Sequence, residues 1–154
     1  MSLQTLEKPA ALTPQEWESI KLLYAAIDQH NWKLLDDAVT SDWADLPPAP
    51  GQKPGPDGVK PVLQGIVDAM PDLRVTLEEA IAEQHRVAVR ATIHGTHKGP
   101  LFGIPPTGRK VSLALHEFHS LRAGKIFQTR HMEDWLGLFM RIGAFPENHN
   151  GDKP

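Results

Sequence analysis

The clearest alternation of apolar and polar residues lies in the last third of the chain. Residues 113–145 predict two antiparallel strands around a tight turn, followed by a short apolar helix. The turn is Arg122-Ala123-Gly124-Lys125, in which Gly124 is free to adopt a positive φ. Pairing Leu121 with Ile126 across this turn predicts the register of the whole hairpin.

The predicted register divides the hairpin into two faces, because successive side chains of a strand point to opposite sides. The first face is apolar at both ends and ionisable in its centre. It consists of Leu113, Leu115, Glu117, His119, Leu121, Ile126, Gln128, Arg130, Met132 and Asp134. The opposite face consists of Ala114, His116, Phe118, Ser120, Phe127, Thr129, His131 and Glu133. Burying unpaired charges is costly, so the first face is more typical of a functional pocket than of a plain core.

The first half of the chain predicts helices. Thr13, Pro14 and Glu16 form a helix start with a capping box, and apolar residues then recur at helical spacing to about His30. These apolar residues are Trp17, Ile20, Leu23, Tyr24 and Ile27. Asn31 is the predicted cap of a second, shorter helix. The proline- and glycine-rich residues 41–58 predict a loop, after which Asp57 is the predicted cap of a third helix.

The middle of the chain predicts two further strands. Val75, Leu77 and Ile81 alternate with more polar residues, and a turn at Gln84-His85 leads into a second alternating run, residues 87–94. Residues 98–108 predict a loop. The sequence therefore predicts an α+β fold: a cone-shaped, curved antiparallel sheet of about four strands wrapped around N-terminal helices, with a short C-terminal helix. Residues 1–12 are expected to be a mobile arm, residues 13–146 a single domain and residues 147–154 a mobile tail.

Composition and net charge exclude several classes of function for this protein. The net charge of −3 argues against a general nucleic-acid-binding protein. The absence of cysteine excludes disulfides and thiolate chemistry, and no helical pair of histidines or cluster of carboxylates predicts a metal site. Without a signal-peptide pattern or a long apolar run, the chain is expected to be cytoplasmic, with no membrane partner.

Three segments of the chain carry a family resemblance: GTHKGPLFGIPPTGRKV at residues 95–111, HEFHSLRAGKI at residues 116–126 and WLGLFMRIGAF at residues 135–145. They resemble the SnoaL-like polyketide (ester) cyclase family of the nuclear-transport-factor-two-like superfamily. The resemblance, over about residues 17–145, implies a cone that admits a hydrophobic small molecule, often in a dimer formed through the outer sheet face. It also implies ring closure by an intramolecular aldol reaction, with an acid/base aspartate and no metal or organic cofactor.

The resemblance and the predicted register together assign candidate site residues. The family's aspartate before the last helix corresponds to Asp134, whereas Arg130-His131 stands where many members carry Trp-Asp. We expect Asp134 and His119 to be catalytic, and Glu117 and Arg130 to bind the substrate or stabilise an oxyanion. The expected lining of the pocket is completed by Tyr24, Trp43, Phe102 and Met132.

Each of these residues also has an ordinary structural interpretation. Asp134 could simply cap the last helix, His119 could be a hydrogen-bonded semi-buried histidine, and Glu117 could form a structural ion pair with Arg130. The same pocket could belong to a non-catalytic binding protein or to an epoxide or ester hydrolase. His116 and His131 favour a polar dimer face over a metal site. The predicted homodimer uses the outer sheet face, with contributions from Arg90, Thr92, His94, His116 and Phe118.

Overall fold

The computed structural model describes residues 6–144, which form four helices and five strands. The helices are α1 (Pro14–Asp28), α2 (Trp32–Ala38), α3 (Pro56–Ala69) and α4 (Trp135–Ile142). The strands are β1 (Val39–Leu46), β2 (Arg74–Glu83), β3 (Arg86–Thr96), β4 (Lys110–Arg122) and β5 (Lys125–Glu133). The predicted α+β class is confirmed, because the helices pack against a single curved, open sheet.

The first two helices begin where their capping residues predict. The Thr13 hydroxyl accepts a hydrogen bond from the Glu16 N–H (3.2 Å), and the Glu16 carboxylate accepts one from the Thr13 N–H (2.8 Å). Asn31 caps α2. The predicted cap of α3 is wrong, because Gly55 occupies that position and Asp57 lies in the first turn. Gly55 has a φ of 77° and Pro56 follows it, a combination that suits a helix start.

The sheet has the strand order β1-β5-β4-β3-β2. The neighbours from β2 to β5 are antiparallel, as predicted, whereas β1 runs parallel to β5 and makes the sheet mixed. The predicted loop at residues 41–58 is therefore wrong in its first part. The sequence of β1 is polar and leads into prolines, and only pairing with the free edge of β5 gives its backbone hydrogen-bond partners.

A β-bulge in the last hairpin changes the predicted faces. Leu121 pairs with Ile126 as predicted, but Ser120 pairs with Gln128, so Phe127 is an extra residue in β5. A shift of one residue turns every following side chain to the other side of the sheet. The predicted register is therefore wrong beyond the bulge, where the inner face carries Thr129, His131 and Glu133 and the outer face carries Arg130 and Met132.

The core lies between the helices and the inner face of the sheet. Its most completely buried apolar side chains include Ile20, Leu35, Met70, Leu77 and Leu113. Leu12 is also buried in this core, although the mobility expected for residues 1–12 stays a prediction, and residues 147–154 lie outside the described part. Within residues 6–144, no helix combines the length and hydropathy needed to cross a membrane.

Candidate active site

A group of hydrogen-bonded side chains crosses the inside of the cone. Tyr24 on α1 contacts Glu117 and His119, which both point inward from β4. The Tyr24 hydroxyl donates to a Glu117 carboxylate oxygen at 2.5 Å and lies 2.8 Å from His119 Nε2. Tyr24 and His119 have no exposed side-chain surface, whereas 12% of the Glu117 side chain is exposed. Glu117 is therefore the only member of this trio whose side chain has exposed surface.

The same network continues from the other side of the His119 ring. His119 Nδ1 lies 2.9 Å from the Thr129 hydroxyl on β5, and this hydroxyl accepts a hydrogen bond from the Trp43 indole N–H at 3.0 Å. Thr129 and Trp43 are both buried. The buried chain therefore joins five side chains from α1, β1, β4 and β5: Glu117, Tyr24, His119, Thr129 and Trp43.

A second group, the carboxylate–histidine cluster, contains His131, Asp45 and Glu133. His131 stands directly opposite Glu117 in the β4–β5 ladder. Its Nδ1 lies 2.8 Å from a Glu133 oxygen, and its Nε2 lies 3.4 Å from an Asp45 oxygen. All three side chains are mostly buried, with 13–21% of their surface exposed. This cluster places a cation held by two anions beside Glu117.

The proline-rich loop after β1 is tied to this cluster through Gln52. The Gln52 amide donates to Asp45 Oδ2 at 3.1 Å, and its carbonyl oxygen accepts from the Ala49 N–H at 3.0 Å. Asp45 is therefore hydrogen-bonded to the loop and ion-paired with His131 at the same time. A contact of this kind fixes the carboxylate orientation without neutralising it.

The environment separates the protonation behaviour of the three ionisable groups. Burial raises the pKa of Glu117 to about 7, although the Tyr24 hydroxyl and the His131 charge both act to lower it. Burial, together with a smaller effect of the His131 charge, lowers the pKa of His119 to about 3. Burial also acts to lower the pKa of His131, but Asp45 and Glu133 outweigh it and raise this pKa to about 10. At neutral pH, His119 is thus neutral and His131 is a cation. Glu117 is present in both its protonated and its ionised form.

The structure brings together four of the residues predicted from sequence, Tyr24, Trp43, Glu117 and His119. The predicted pairing of Glu117 with Arg130 is wrong, because the bulge turns Arg130 to the outer face, where it opposes Phe118. Met132 lies on that outer face for the same reason and is 71% exposed.

Asp134 and Phe102 lie at the α4 end of the molecule. Asp134 is exposed and caps α4, since its carboxylate accepts a hydrogen bond from the Gly137 N–H at 2.9 Å. The geometric reason for a catalytic Asp134, an inward position on the hairpin, is therefore lost. Phe102 is 67% exposed and packs edge-on against Trp135 and Phe139, with ring centroids 5.1 and 6.0 Å away. Its role in substrate binding stays a prediction.

Sequence reasoning missed four members of the site. The predicted register puts His131, Glu133 and Thr129 on the outer face, and the proline-rich pattern puts Asp45 in a loop. For Asp45 a weak signal exists, because Trp43 and Asp45 are two residues apart, as inward residues of a strand are. The sequence offers no comparable signal for the other three, whose orientation depends on the bulge.

The architecture is the cone-shaped α+β fold predicted from the sequence. A curved mixed sheet packs around a long N-terminal helix and carries ionisable groups on its inner face. The model of the SnoaL-like polyketide cyclase family matches residues 18–142, and the chain belongs to this family.

Solved structures of similar architecture cover most of the chain. TsrD from Streptomyces laurentii superimposes with a TM-score of 0.79 at 25% identity, covering 87% of this chain and 99% of TsrD. IdmH, a candidate polyketide cyclase from Streptomyces antibioticus, gives 0.74 at 25% identity, covering 84% and 99%. A candidate polyketide cyclase from Bacillus cereus gives 0.77 at 22% identity, covering 93% and 97%, and shares the fold. Among curated proteins, no sequence matches.

Proposed function

We propose that this protein is a polyketide cyclase-type enzyme that performs general acid/base chemistry on a hydrophobic, carbonyl-containing small molecule, with no metal or organic cofactor. The observation that carries the proposal is Glu117, a mostly buried carboxyl group on the inner sheet face that accepts a hydrogen bond from Tyr24 and whose pKa burial raises to about 7. A group whose pKa lies near the working pH is efficient both in removing a proton and in returning it.

The neighbours of Glu117 supply the remaining roles. Glu117 removes a proton from the carbon next to a carbonyl group. The positive charge of the His131 imidazolium, whose two ring nitrogens face Glu133 and Asp45, favours through its electric field the enolate that forms. The enolate carbon then attacks a second carbonyl group of the same molecule, and Glu117 returns the proton to the resulting alkoxide. Asp45 and Glu133 keep His131 charged. This assignment replaces Asp134 and His119 as the catalytic pair, because Asp134 caps a helix and His119 is fully buried.

The experiment that tests this proposal measures proton exchange and product formation separately. The protein is incubated in D₂O with a panel of aromatic and aliphatic β-diketones and linear polyketone analogues, and deuterium uptake is followed by NMR. We expect catalysed exchange at the carbon between the carbonyl groups, and cyclised products where a second carbonyl group is within reach. Binding without exchange would support the binding-protein alternative instead. Formation of diols or acids from epoxides or esters would support the hydrolase alternative.

The proposed chemistry requires only the side chains of the chain itself. We therefore expect the exchange activity to be the same before and after dialysis against EDTA. Loss of activity on dialysis, followed by recovery on addition of zinc but not of calcium, would contradict a cofactor-free mechanism.

A second proposal concerns assembly through the outer face of the sheet. Ile81, Phe118 and Met132 lie on this face with 64–71% of their surface exposed, next to a groove of about 470 Å³. The residues predicted to contribute to a dimer also point outward here: Arg90, Thr92, His94, His116 and Phe118. Large apolar side chains clustered on one open sheet face are typical of an interface, and a second copy of the chain is the proposed partner.

The proposed dimer can be tested by measuring the mass of the protein in solution. Multi-angle light scattering at micromolar concentration should give about twice the chain mass of 17.1 kDa. Phe118→Asp should yield a folded monomer, because it places a charge in the centre of the interface. Phe102→Asp is the matched control, since Phe102 is equally exposed but lies beside α4. A wild-type mass of 17.1 kDa at every concentration would exclude this dimer.

A further inference from the structure

The buried chain of hydrogen bonds joins side chains whose numbers of donors and acceptors are fixed by their chemistry. Its members are Glu117, Tyr24, His119, Thr129 and Trp43. The Trp43 indole is only a donor, and an ionised carboxylate is only an acceptor. Tyr24 and Thr129 each carry one proton and accept at the same oxygen. Neutral His119 has one donor nitrogen and one acceptor nitrogen, so its tautomer must agree with the direction of every other hydrogen bond.

When Glu117 is ionised, only one arrangement satisfies all five groups. The Tyr24 hydroxyl must donate to Glu117, so its oxygen is free only to accept from His119 Nε2. His119 therefore carries its proton on Nε2. Its Nδ1 accepts from the Thr129 hydroxyl, whose oxygen in turn accepts from the Trp43 N–H. The opposite tautomer would place two acceptors, Nε2 and the Tyr24 oxygen, 2.8 Å apart with no proton between them.

When the Glu117 oxygen next to Tyr24 gains a proton, the directions reverse. Glu117 then donates to the Tyr24 oxygen, and the Tyr24 hydroxyl can donate only to His119 Nε2. His119 must carry its proton on Nδ1, from which it donates to Thr129. The Thr129 oxygen accepts from His119 and from Trp43 with its two lone pairs. One proton has been added at Glu117, and His119 remains neutral in both states.

We infer that His119 changes tautomer when Glu117 gains or loses its proton, so that Tyr24 and His119 are positioning residues that keep Glu117 hydrogen-bonded in both of its states. The inference rests on the proposed role of Glu117 as the acid/base. Such a device suits a group that alternates between base and acid, because Glu117, Tyr24 and His119 keep their hydrogen bonds to one another in both states. The cost falls on Thr129, whose hydroxyl donates to His119 only while Glu117 is ionised.

The other titratable groups that face Glu117 do not cause the change of His119 tautomer. Glu117 is faced by Tyr24 from α1, His119 from β4, His131 and Glu133 from β5, and Asp45 from β1. His131, with a pKa of about 10, keeps its charge while Glu117 titrates. Its field therefore lowers the pKa of Glu117 but stays constant through the pH range in which the tautomer changes.

The test is an NMR titration of the full-length protein, without any substrate. Histidine nitrogens are labelled with ¹⁵N and glutamate carboxyl groups with ¹³C, and the His119 and Glu117 signals are assigned by comparison with His119→Gln and Glu117→Gln. Between pH 5.5 and pH 8.5, we expect one Glu117 titration near pH 7. With the same midpoint, His119 should change from the Nδ1–H form at low pH to the Nε2–H form at high pH.

A Tyr24→Phe variant removes the hydroxyl that links the two groups. In this variant Glu117 should still titrate, but the tautomer of His119 should no longer follow it. The matched control is Thr76→Val, which removes a hydroxyl on the outer face and should leave the switch intact.

Three results would overturn the inference. The first is an unchanged His119 tautomer while Glu117 titrates, which would leave the proposed function standing. The second is a tautomer that still follows pH in Tyr24→Phe. The third is a Glu117 that does not titrate near neutral pH, which would overturn the proposed function as well. If Tyr24→Phe does not fold, the wild-type titration alone decides.

Discussion

Glu117→Gln should lower kcat by roughly 10²–10⁴, the usual contribution of general acid/base catalysis. Glutamine preserves the shape of the side chain and can still accept a hydrogen bond from Tyr24, but it cannot take up a proton. The effect should fall mainly on kcat rather than on KM, because the proton transfer belongs to the chemical step. In the wild type, kcat/KM for proton removal should rise with pH through about 7, the pKa of Glu117, since the ionised form is the base.

The discriminating comparison is with Asp134→Asn. This variant should keep nearly normal kcat and nearly normal stability, because Asp134 caps α4 from an exposed position and asparagine is about as good a cap. Steady-state rates of both variants and the wild type, measured on the substrate found in the exchange panel, decide the assignment. A nearly inactive Asp134→Asn beside an active Glu117→Gln would restore the assignment predicted from sequence and refute the one based on the structure.

The free energy of unfolding should be highest on the acidic side of neutral pH and should fall steadily towards pH 10. The pKa of His131 is raised from 6.5 to about 10, so this residue binds a proton more tightly in the folded state. Its stabilisation is fully present below pH 6.5 and is lost as the pH rises through about 10. The increase is about 3.5 pKa units, so at about 1.4 kcal/mol per unit the loss has an upper bound on the order of 5 kcal/mol.

His119 and Glu117 determine how the free energy of unfolding changes on the acidic side of neutral pH. Because the pKa of His119 is lowered to about 3, its stabilising contribution is lost as the pH falls below 6.5. Because the pKa of Glu117 is raised from 4.5 to about 7, its contribution is present below pH 4.5 and is lost as the pH rises through 7. Between pH 4.5 and pH 6.5 the two effects oppose each other, which places the maximum of stability in this interval.

Urea denaturation at fixed pH values from 4 to 10 measures this profile. His131→Gln should be less stable than the wild type at pH 6 and should lose most of the decline between pH 7 and pH 10. The control is His116→Gln, which changes an exposed histidine on the outer face and should leave the profile unaltered. A wild type as stable at pH 10 as at pH 6 would contradict a His131 held as a cation by Asp45 and Glu133.

Local sequence patterns predicted the inward position of some site residues but not of others. On β4, the alternation of apolar and polar residues placed Glu117 and His119 on the inner face without reference to the rest of the molecule, and the helical spacing of α1 gave Tyr24 an inward position. These predictions are confirmed because β4 is regular throughout, so that its period of two holds from Val111 to Leu121. Local patterns did not predict the charged neighbours His131, Glu133 and Asp45, because these residues lie on two other strands, β5 and β1.

The sequence by itself determined the starts of α1 and α2, the turn at Gly124 and the inner face of β4, because each follows from a local property: a cap, a conformationally free residue or a regular period. Only the tertiary structure decided that His131 and Glu133, rather than Arg130, lie beside Glu117. One extra residue at Phe127 reverses the orientation of the rest of β5, and its position depends on how β4 and β1 pair with that strand. The inward position of Asp45 likewise depends on the edge of β5, because a polar strand followed by prolines forms only where a neighbouring edge supplies its hydrogen bonds.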